Sequence, residues 1–375
     1  MRLRLSAAAC GLLLAAAVAL ADDPKPNTLT PKEAAEGWIH LFDGETTYGW
    51  KTEGDVKVDQ GVMVIDGAKK GKVTTNVHFP VPVEMFVVWK WTGTGGASFG
   101  VGGHGHVIPK DEWVEMKMTL LLDASGSGAQ TSTSLRRPGE GWKPGNASSG
   151  GLGPTTVGTM SVSPGTTVYV RSVRLRPLGM KSLFNGKDLT GWKVFDDPKR
   201  SATKFEVTRD GELSAKNGPG DLQSEDQFAN FMLQLECKTN GKWLNSGVFF
   251  RCIPGQYQNG YEAQIHNGFK DNDRTKPVDF GTGAIYRRIP ARKVVSNDME
   301  WFTMTVLADG NHFATWVNGY QTVDWTDERA PNENPRQGYR AEKGHISLQG
   351  HDPTTDLLFR NVRIAELPST TMPKK

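Results

Sequence analysis

Cysteine is scarce in this chain: three among 375 residues, Cys10, Cys237 and Cys252. So few sulfurs exclude a disulfide scaffold and a cysteine-ligated metal cluster. Charge of one sign is also lacking. Lys and Arg number 44 against 41 Asp and Glu, which leaves no basic surplus of the kind a nucleic-acid-binding protein carries. Helical signal is almost absent. It is confined to 30–36, where Thr30 is an N-cap, Pro31 takes the first helical position and Glu33 completes a capping box. Long apolar runs are missing as well, apart from one at the start.

That run covers 5–20, follows Arg2 and Arg4, and ends in Ala19, Leu20 and Ala21. A basic start, an apolar middle and a small-x-small end describe a secretory signal peptide cleaved after Ala21. The run is shorter than the roughly 20 apolar residues that a membrane span needs, and no second candidate follows it. Cys10 precedes most of the run, whereas a lipid-bearing cysteine would follow it. The expectation is a secreted or periplasmic protein with no stable membrane insertion after cleavage. Losing Arg2 and Arg4 lowers the formal charge from +3 to about +1. Cys237 and Cys252 fall in consecutive predicted strands, 231–238 and 246–252. Hairpin pairing would set Cys237 beside Gly247 and Cys252 beside Met232, so two free buried thiols are expected.

What is present in abundance is β-structure with an internal repeat. Leu41, Phe42, Gly44, Gly49, Trp50 and Lys51 return at the same spacing as Leu183, Phe184, Gly186, Gly191, Trp192 and Lys193, with Asp43 answered by Asn185. The closing segments 170–175 and 359–364 also match, and Glu112-Trp113 answers Glu300-Trp301. Short alternating strands recur at 61–65, 83–91, 115–122, 167–175, 231–238, 247–252, 261–266, 301–308, 312–317, 345–349 and 356–367, divided by Gly, Asn, Asp and Pro. Such a pattern means stacked antiparallel sheets. The expected organisation is a leader over 1–21, a linker with a short helix over 22–37, one β-sandwich over 38–178, a second over 181–367 and a loose tail over 368–375.

Within the second copy, the motif 184–192, then Asn245 to Arg251, Tyr261 to Ile265, Thr282 to Tyr286 and Leu348 to His351 occur in order. Together they resemble the 3-keto-disaccharide hydrolase family, densely over 181–367 and only through the opening motif, the central Trp and the closing strand over 37–178. The resemblance implies an all-β fold of two tandem concanavalin A-like jelly-roll β-sandwiches, the first degenerate, and a concave face that takes a carbohydrate. Asn267 stands where the family commonly has an Asp, so that Asp cannot be assumed to take part.

The residues themselves point to a polar site. Side chains alternate across a strand, so Glu262, Gln264 and His266 are expected to share a face, as are Phe249 with Arg251, and Ser347 with Gln349 and His351. A face so polar is solvated or functional, not core. Trp50 to Trp113 spans 63 positions and Trp192 to Trp301 spans 109. The excess is placed at 253–297, in the second copy only. The stretch 95–101 of the first copy stands where 245–251 stands and holds no arginine. The first copy is therefore expected to lack the site; binding polysaccharide, covering the second unit and stabilising it stay open as its role.

Ordinary glycosidases need two carboxylates across the scissile bond, and the Glu262 strand supplies one. A sugar oxidised at C3 needs less, because the ketone acidifies the C2 proton and the group at C1 leaves by elimination. Candidate catalytic residues are Glu262 as base, with His266 the alternative, and Arg251 as an oxyanion donor, a role Gln264 and His351 could share. Substrate contacts are expected from Gln264, Gln349, His351, Tyr286, Asn245 and Trp243. The sequence identifies no cofactor; His266, His351 and Glu262 could hold a divalent metal. Asp271, Asn272 and Asp273 lack the Gly and terminal Glu of a calcium loop and read as a solvated turn. Arg287, Arg288, Arg292 and Lys293 form a run that is either a solvated loop or a means of steering an anionic sugar. Asn146-Ala147-Ser148 matches a glycosylation sequon. A non-catalytic, lectin-like carbohydrate-binding protein remains the competing reading.

Overall fold

The computed structural model describes residues 27–68, 70–101, 104–106, 109–124, 128–151 and 155–367. The leader, the tail and the side chain of Asn146 lie outside the described residues. Among the described residues no helix is long and apolar enough to cross a membrane. The one α-helix among the described residues is Pro31–Ala35, and Thr30 and Glu33 make both halves of the expected capping box.

All other regular structure is antiparallel strand, as the short alternating segments require. In the second half, a five-stranded sheet runs in the order Trp192–Val194, Gly220–Phe228, Gly344–Gly350, Ser246–Cys252, Tyr261–Ile265. It stacks on an eight-stranded sheet whose central strands are Asp356–Glu366, Phe231–Thr239 and Phe302–Asp309. Leu222, Val248, Ala263 and Leu348 from the first sheet meet Leu233, Met304, Val306, Phe313 and Phe359 from the second in one buried core. Burying a side chain of this kind contributes about 1.5–3 kcal/mol. In each strand of the smaller sheet the alternate residues are turned away from that core, which is what makes a polar outer face available.

The first half repeats the strand order position by position. Trp50–Glu53, Gly71–Thr75, Gly158–Val162, Ala97–Val101 and His104–His106 form its five-stranded sheet. Its larger sheet centres on Thr166–Pro177, Val83–Gly93 and Val114–Leu122. The opening motif does the same work in both halves. The Trp50 indole donates to the Leu41 carbonyl and the Trp192 indole to the Leu183 carbonyl. Asp43 Oδ1 accepts from the backbone amides of Glu45 and Thr46, and Asn185 Oδ1 from those of Lys187 and Asp188. Either residue supplies the oxygen such a turn needs, so the turn forms in both halves.

The strand of Glu262 thus has a counterpart, His104–His106, beside Ala97–Val101. The extra chain of the second half is therefore not the block 253–297 as a whole. It is concentrated after this strand, where 266–301 stands against 107–113. That excursion reaches the first half: Arg292 bonds Asp43 Oδ2 at 3.0 Å and Thr46 Oγ1 at 3.1 Å, and Lys293 lies 3.7 Å from Glu45. Arg292 and Lys293 of the basic run are thereby committed to this contact. The halves also share apolar contacts, Trp316 packing beside Phe79 and donating to the His40 carbonyl.

Cys237 and Cys252 are free and fully buried. The reason differs from the expected hairpin register. Phe231–Thr239 pairs within the larger sheet and Ser246–Cys252 within the smaller one, so the two strands are not neighbours. Burial pushes both thiols up from their ordinary pKa, and the thiolate is the reactive form. A thiol reagent is expected to label neither cysteine in the native protein and both after denaturation without reductant; intact mass reads the outcome directly.

Candidate functional site

The outer face of the smaller sheet is built by register. Glu262 pairs with Phe249 and Phe249 with Ser347 across three adjacent strands, and Asp221 lies opposite Gln349. Leu222, Val248, Ala263 and Leu348, one position away, fill the core. Over this face lies a cavity of about 510 Å³. Glu262, Asn245, Tyr286, Gln349 and His351 are on its wall. Phe249, Tyr257, Gln258, Arg200, Arg287 and Arg336 complete much of the rest.

Glu262 is 9% exposed. Among the described residues its carboxylate has neither an ion-pair partner within 4.0 Å nor a hydrogen-bonded one. Burial pushes its pKa up to about 8; Asp279 and Asp221 add to the rise, while Arg287 and Arg336 oppose it. Gly247 makes room for it. A Cβ at 247 would lie 2.3 Å from Glu262 Oε1 and 2.8 Å from its Cγ. Gly247→Ala is therefore expected to displace the carboxylate, and with it to weaken at least about tenfold any activity that depends on Glu262. A melting temperature near that of the wild type, measured alongside the rate, separates this displacement from unfolding.

Asp221 is one of the residues that sequence reasoning missed, with Arg200, Gln258, Asp279 and Arg336. It is fully buried, and burial pushes its pKa up to about 7, against a hydrogen bond from Gln258 Nε2 to its Oδ1 at 2.9 Å. The segment Gly220–Phe228 contains few apolar residues, so alternation barely marks it as a strand. Only pairing with Gly344–Gly350 puts Asp221 under the cavity.

Gln264 shares the face of Glu262 but is engaged: its Nε2 donates to Asp279 Oδ2 at 2.9 Å and to the Asp279 carbonyl. Asn245 Nδ2 donates to the same carboxylate, so Asp279 couples the two amides and fixes the Asn245 end of the wall. His266 follows the strand's last residue, Ile265, and is not part of the cavity wall. Its Nδ1 accepts from the Gly268 amide at 3.2 Å, and burial lowers its pKa. Trp243, 45% exposed, lies against Gly268 and outside the wall. His351 stands exposed at the rim with Nδ1 2.8 Å from Asp352 Oδ2. Among the described residues no three His, Cys, Asp or Glu side chains gather closely enough to hold a metal ion. The set Glu262, His266 and His351 is thus not assembled as a metal site.

Arg251 is the clearest correction. Alternation placed it beside Phe249 on the outer face, but the pairing of its strand with Gly344–Gly350 slips between Phe249 and Cys252, and Arg251 takes a φ of 50°. A bulge of this kind re-aims a side chain. The guanidinium is fully buried and donates to the carbonyls of Ala229, Arg340 and Gly310 and to Asn230 Oδ1 at 2.7–3.0 Å. It is a clamp between loops, not an oxyanion donor.

Asn267 is also structural. Its Nδ2 donates to Asp298 Oδ1 while its Oδ1 accepts from the hydroxyls of Thr282 and Ser296. An aspartate at 267 would set two carboxylates against each other, so the amide suits this chain. At 271–276 the acidic turn is closed internally, Lys276 lying 3.1 Å from Asp271 and Asp273 accepting from Thr275.

No curated protein matches. Among solved structures, a "putative glycosyl hydrolase" of Parabacteroides distasonis is 24% identical, covering 49% of this chain and 92% of its own, with a TM-score of 0.40. A second of the same description and organism is 26% identical over 47% and 99%, at 0.34. The carbohydrate binding module CBM66 of Bacillus subtilis is 16% identical over 49% and 99%, also at 0.34. The family model of the 3-keto-alpha-glucoside-1,2-lyase-like domain matches 179–365. Residues 179–365 of this chain thus form a 3-keto-alpha-glucoside-1,2-lyase-like domain, which supports a carbohydrate-active role.

Proposed function

We propose that the protein is exported and cleaves 3-keto-glycosides at the second domain, with Glu262 as the general base and the first half a degenerate copy of the same sandwich. The observation that carries the reading is a carboxylate on a cavity wall, almost wholly out of water, with no partner for its charge among the described residues. A structural glutamate so buried would be paired. Burial also makes it a stronger base than an ordinary carboxylate, which suits removal of a proton from carbon.

In the step proposed, Glu262 takes the C2 proton of a sugar bearing a ketone at C3. The C2–H electron pair passes into an enolate and then forms the C1=C2 bond as the C1–O bond breaks. The departing oxygen takes a proton and leaves as an alcohol; addition of water across C1=C2 completes a net hydrolysis. The enolate oxygen needs a donor. Gln349 is placed for this: it lines the cavity, and among the described residues its side-chain amide donates to no protein acceptor. Asp221 lies behind the wall and is a positioning residue, holding Gln258 and adding negative charge that raises Glu262.

Purified protein incubated with a 3-keto-disaccharide should release monosaccharide, detected by chromatography, with the unsaturated 2-hydroxy-3-keto intermediate absorbing in the ultraviolet. Deuterium at C2 should slow the reaction. Binding of the same sugar without cleavage would show a lectin-like protein instead.

A further inference from the structure

We propose that the cavity selects glycosides carrying an anionic group, a carboxylate or a sulfate ester, held at its mouth by Arg200, Arg287 and Arg336. The proposal rests on the assignment of this cavity as the sugar site and names the class of sugar.

The three guanidinium groups come from separate stretches of chain: Arg200 before the strand Lys204–Val207, Arg287 in the excursion 266–301, and Arg336 between Tyr320–Thr326 and Gly344–Gly350. A basic run in sequence is usually a solvated loop. Convergence of three distant segments on one opening is a tertiary arrangement, and the run's other outer members, Arg292 and Lys293, are drawn off to Asp43 and Glu45.

None of the three has an acidic partner. Among the described residues no carboxylate oxygen lies within 4.0 Å of Arg200, Arg287 or Arg336, whereas Arg136, Arg174, Arg176, Arg329 and Arg360 are all so paired. The carboxylates below do not neutralise them by contact either. A neutral sugar gives no reason to gather three unpaired cations around its entrance. An anion does, because a planar guanidinium presents parallel N–H groups that match the oxygens of a carboxylate or sulfate.

Their positions are set by the fold. Arg288 donates to the carbonyls of Pro335 and Arg336 at 3.2 and 3.0 Å, and Arg329 to that of Pro335 at 3.0 Å, so two neighbouring arginines tie down the backbone that carries Arg336. Arg336 itself spends one N–H on the Gln258 carbonyl. The Arg200 guanidinium lies 4.7 Å over the Tyr257 ring and that of Arg287 5.3 Å over the Tyr286 ring, both rings belonging to the cavity wall. Such stacking orders a long side chain and leaves its N–H edges open to a ligand.

The test is calorimetric binding of unoxidised, unreactive sugars: methyl glucuronide, methyl glucoside 6-sulfate and methyl glucoside. At least one anion should bind about tenfold or more tightly than the neutral glycoside, and the advantage should shrink with added salt. The two anionic arms distinguish a uronate from a sulfate ester. In the Arg287→Ala and Arg336→Ala variants, both at exposed positions where folding is not at stake, the ratio of anionic to neutral affinity should fall several-fold. Equal affinity for all three sugars, absence of binding by both anions at millimolar concentration, or a ratio untouched by the substitutions overturns the proposal. Cleavage of a neutral 3-keto-glycoside without anion preference would overturn this inference alone. Anion preference with no 3-keto cleavage would leave the site and remove the proposed reaction.

Discussion

Glu262→Gln is expected to lower cleavage of a 3-keto-glycoside by roughly 10² to 10⁴, the ordinary contribution of a general base, with the sandwich intact. Gln keeps the volume and removes only the proton acceptor. The pH dependence follows from the raised pKa. The base acts when ionised, so the wild-type rate should climb with pH through about 8 rather than level off near 5. Stability gives an independent reading. The folded state binds this proton more tightly than the unfolded chain does, because burial raises the folded pKa above the ordinary carboxylate value. The wild type is therefore spared any penalty at low pH and loses stability as pH rises from the ordinary range to about 8. Glu262→Gln abolishes that loss, so the melting temperature of the variant relative to wild type should increase between pH 5 and pH 9. A rate unchanged in Glu262→Gln would remove Glu262 as base. A flat melting difference would show instead that the carboxylate is solvated. Glu112→Gln, on the far half and paired with Arg137, is the control expected to leave the rate alone.

Arg251→Ala should act on stability, not chemistry. The substitution deletes four hydrogen bonds from a fully buried cation and leaves the carbonyls of Ala229, Arg340 and Gly310 and the Asn230 side chain without their donor. Orphaned buried acceptors cost about 1–3 kcal/mol each when water cannot reach them, and partial relaxation brings the expected total to about 3–5 kcal/mol. For a unit of this size the melting temperature should fall by roughly 10 °C. The catalytic reading of Arg251 makes the opposite prediction, a lost kcat at unchanged stability. Comparing kcat with the thermal midpoint at a temperature where the variant is still folded decides between them. Arg251→Lys should rescue little, since one ammonium cannot reach acceptors arranged around a planar fork.

These two residues mark what strand alternation can and cannot deliver. Glu262 was legible because Tyr261–Ile265 is a regular strand, with Ala263 and Ile265 inward and Glu262 and Gln264 outward. Arg251 follows the same parity from Phe249 and still ends inside, because one slip in the ladder cancels the count. His266 was assigned to the face by extending the alternation one residue past the strand, where no ladder enforces it. Asp221 carried no periodic signal, and its place depends on the strand it pairs with.

By itself, the sequence determined the all-β class, the helix cap at Thr30, the repeated opening motif and the polar character of the 261–265 strand. Each of these rests on local chemistry: which residues turn, cap or alternate over a few positions. The tertiary structure alone decided which strands became neighbours, and with that the separation of Cys237 from Cys252 and the meeting of Asp221 with Gln349. It also gathered arginines from three segments at one mouth. Sheet order is set by how two faces bury their apolar residues together, a sum over contacts distant in sequence that no short window of residues contains.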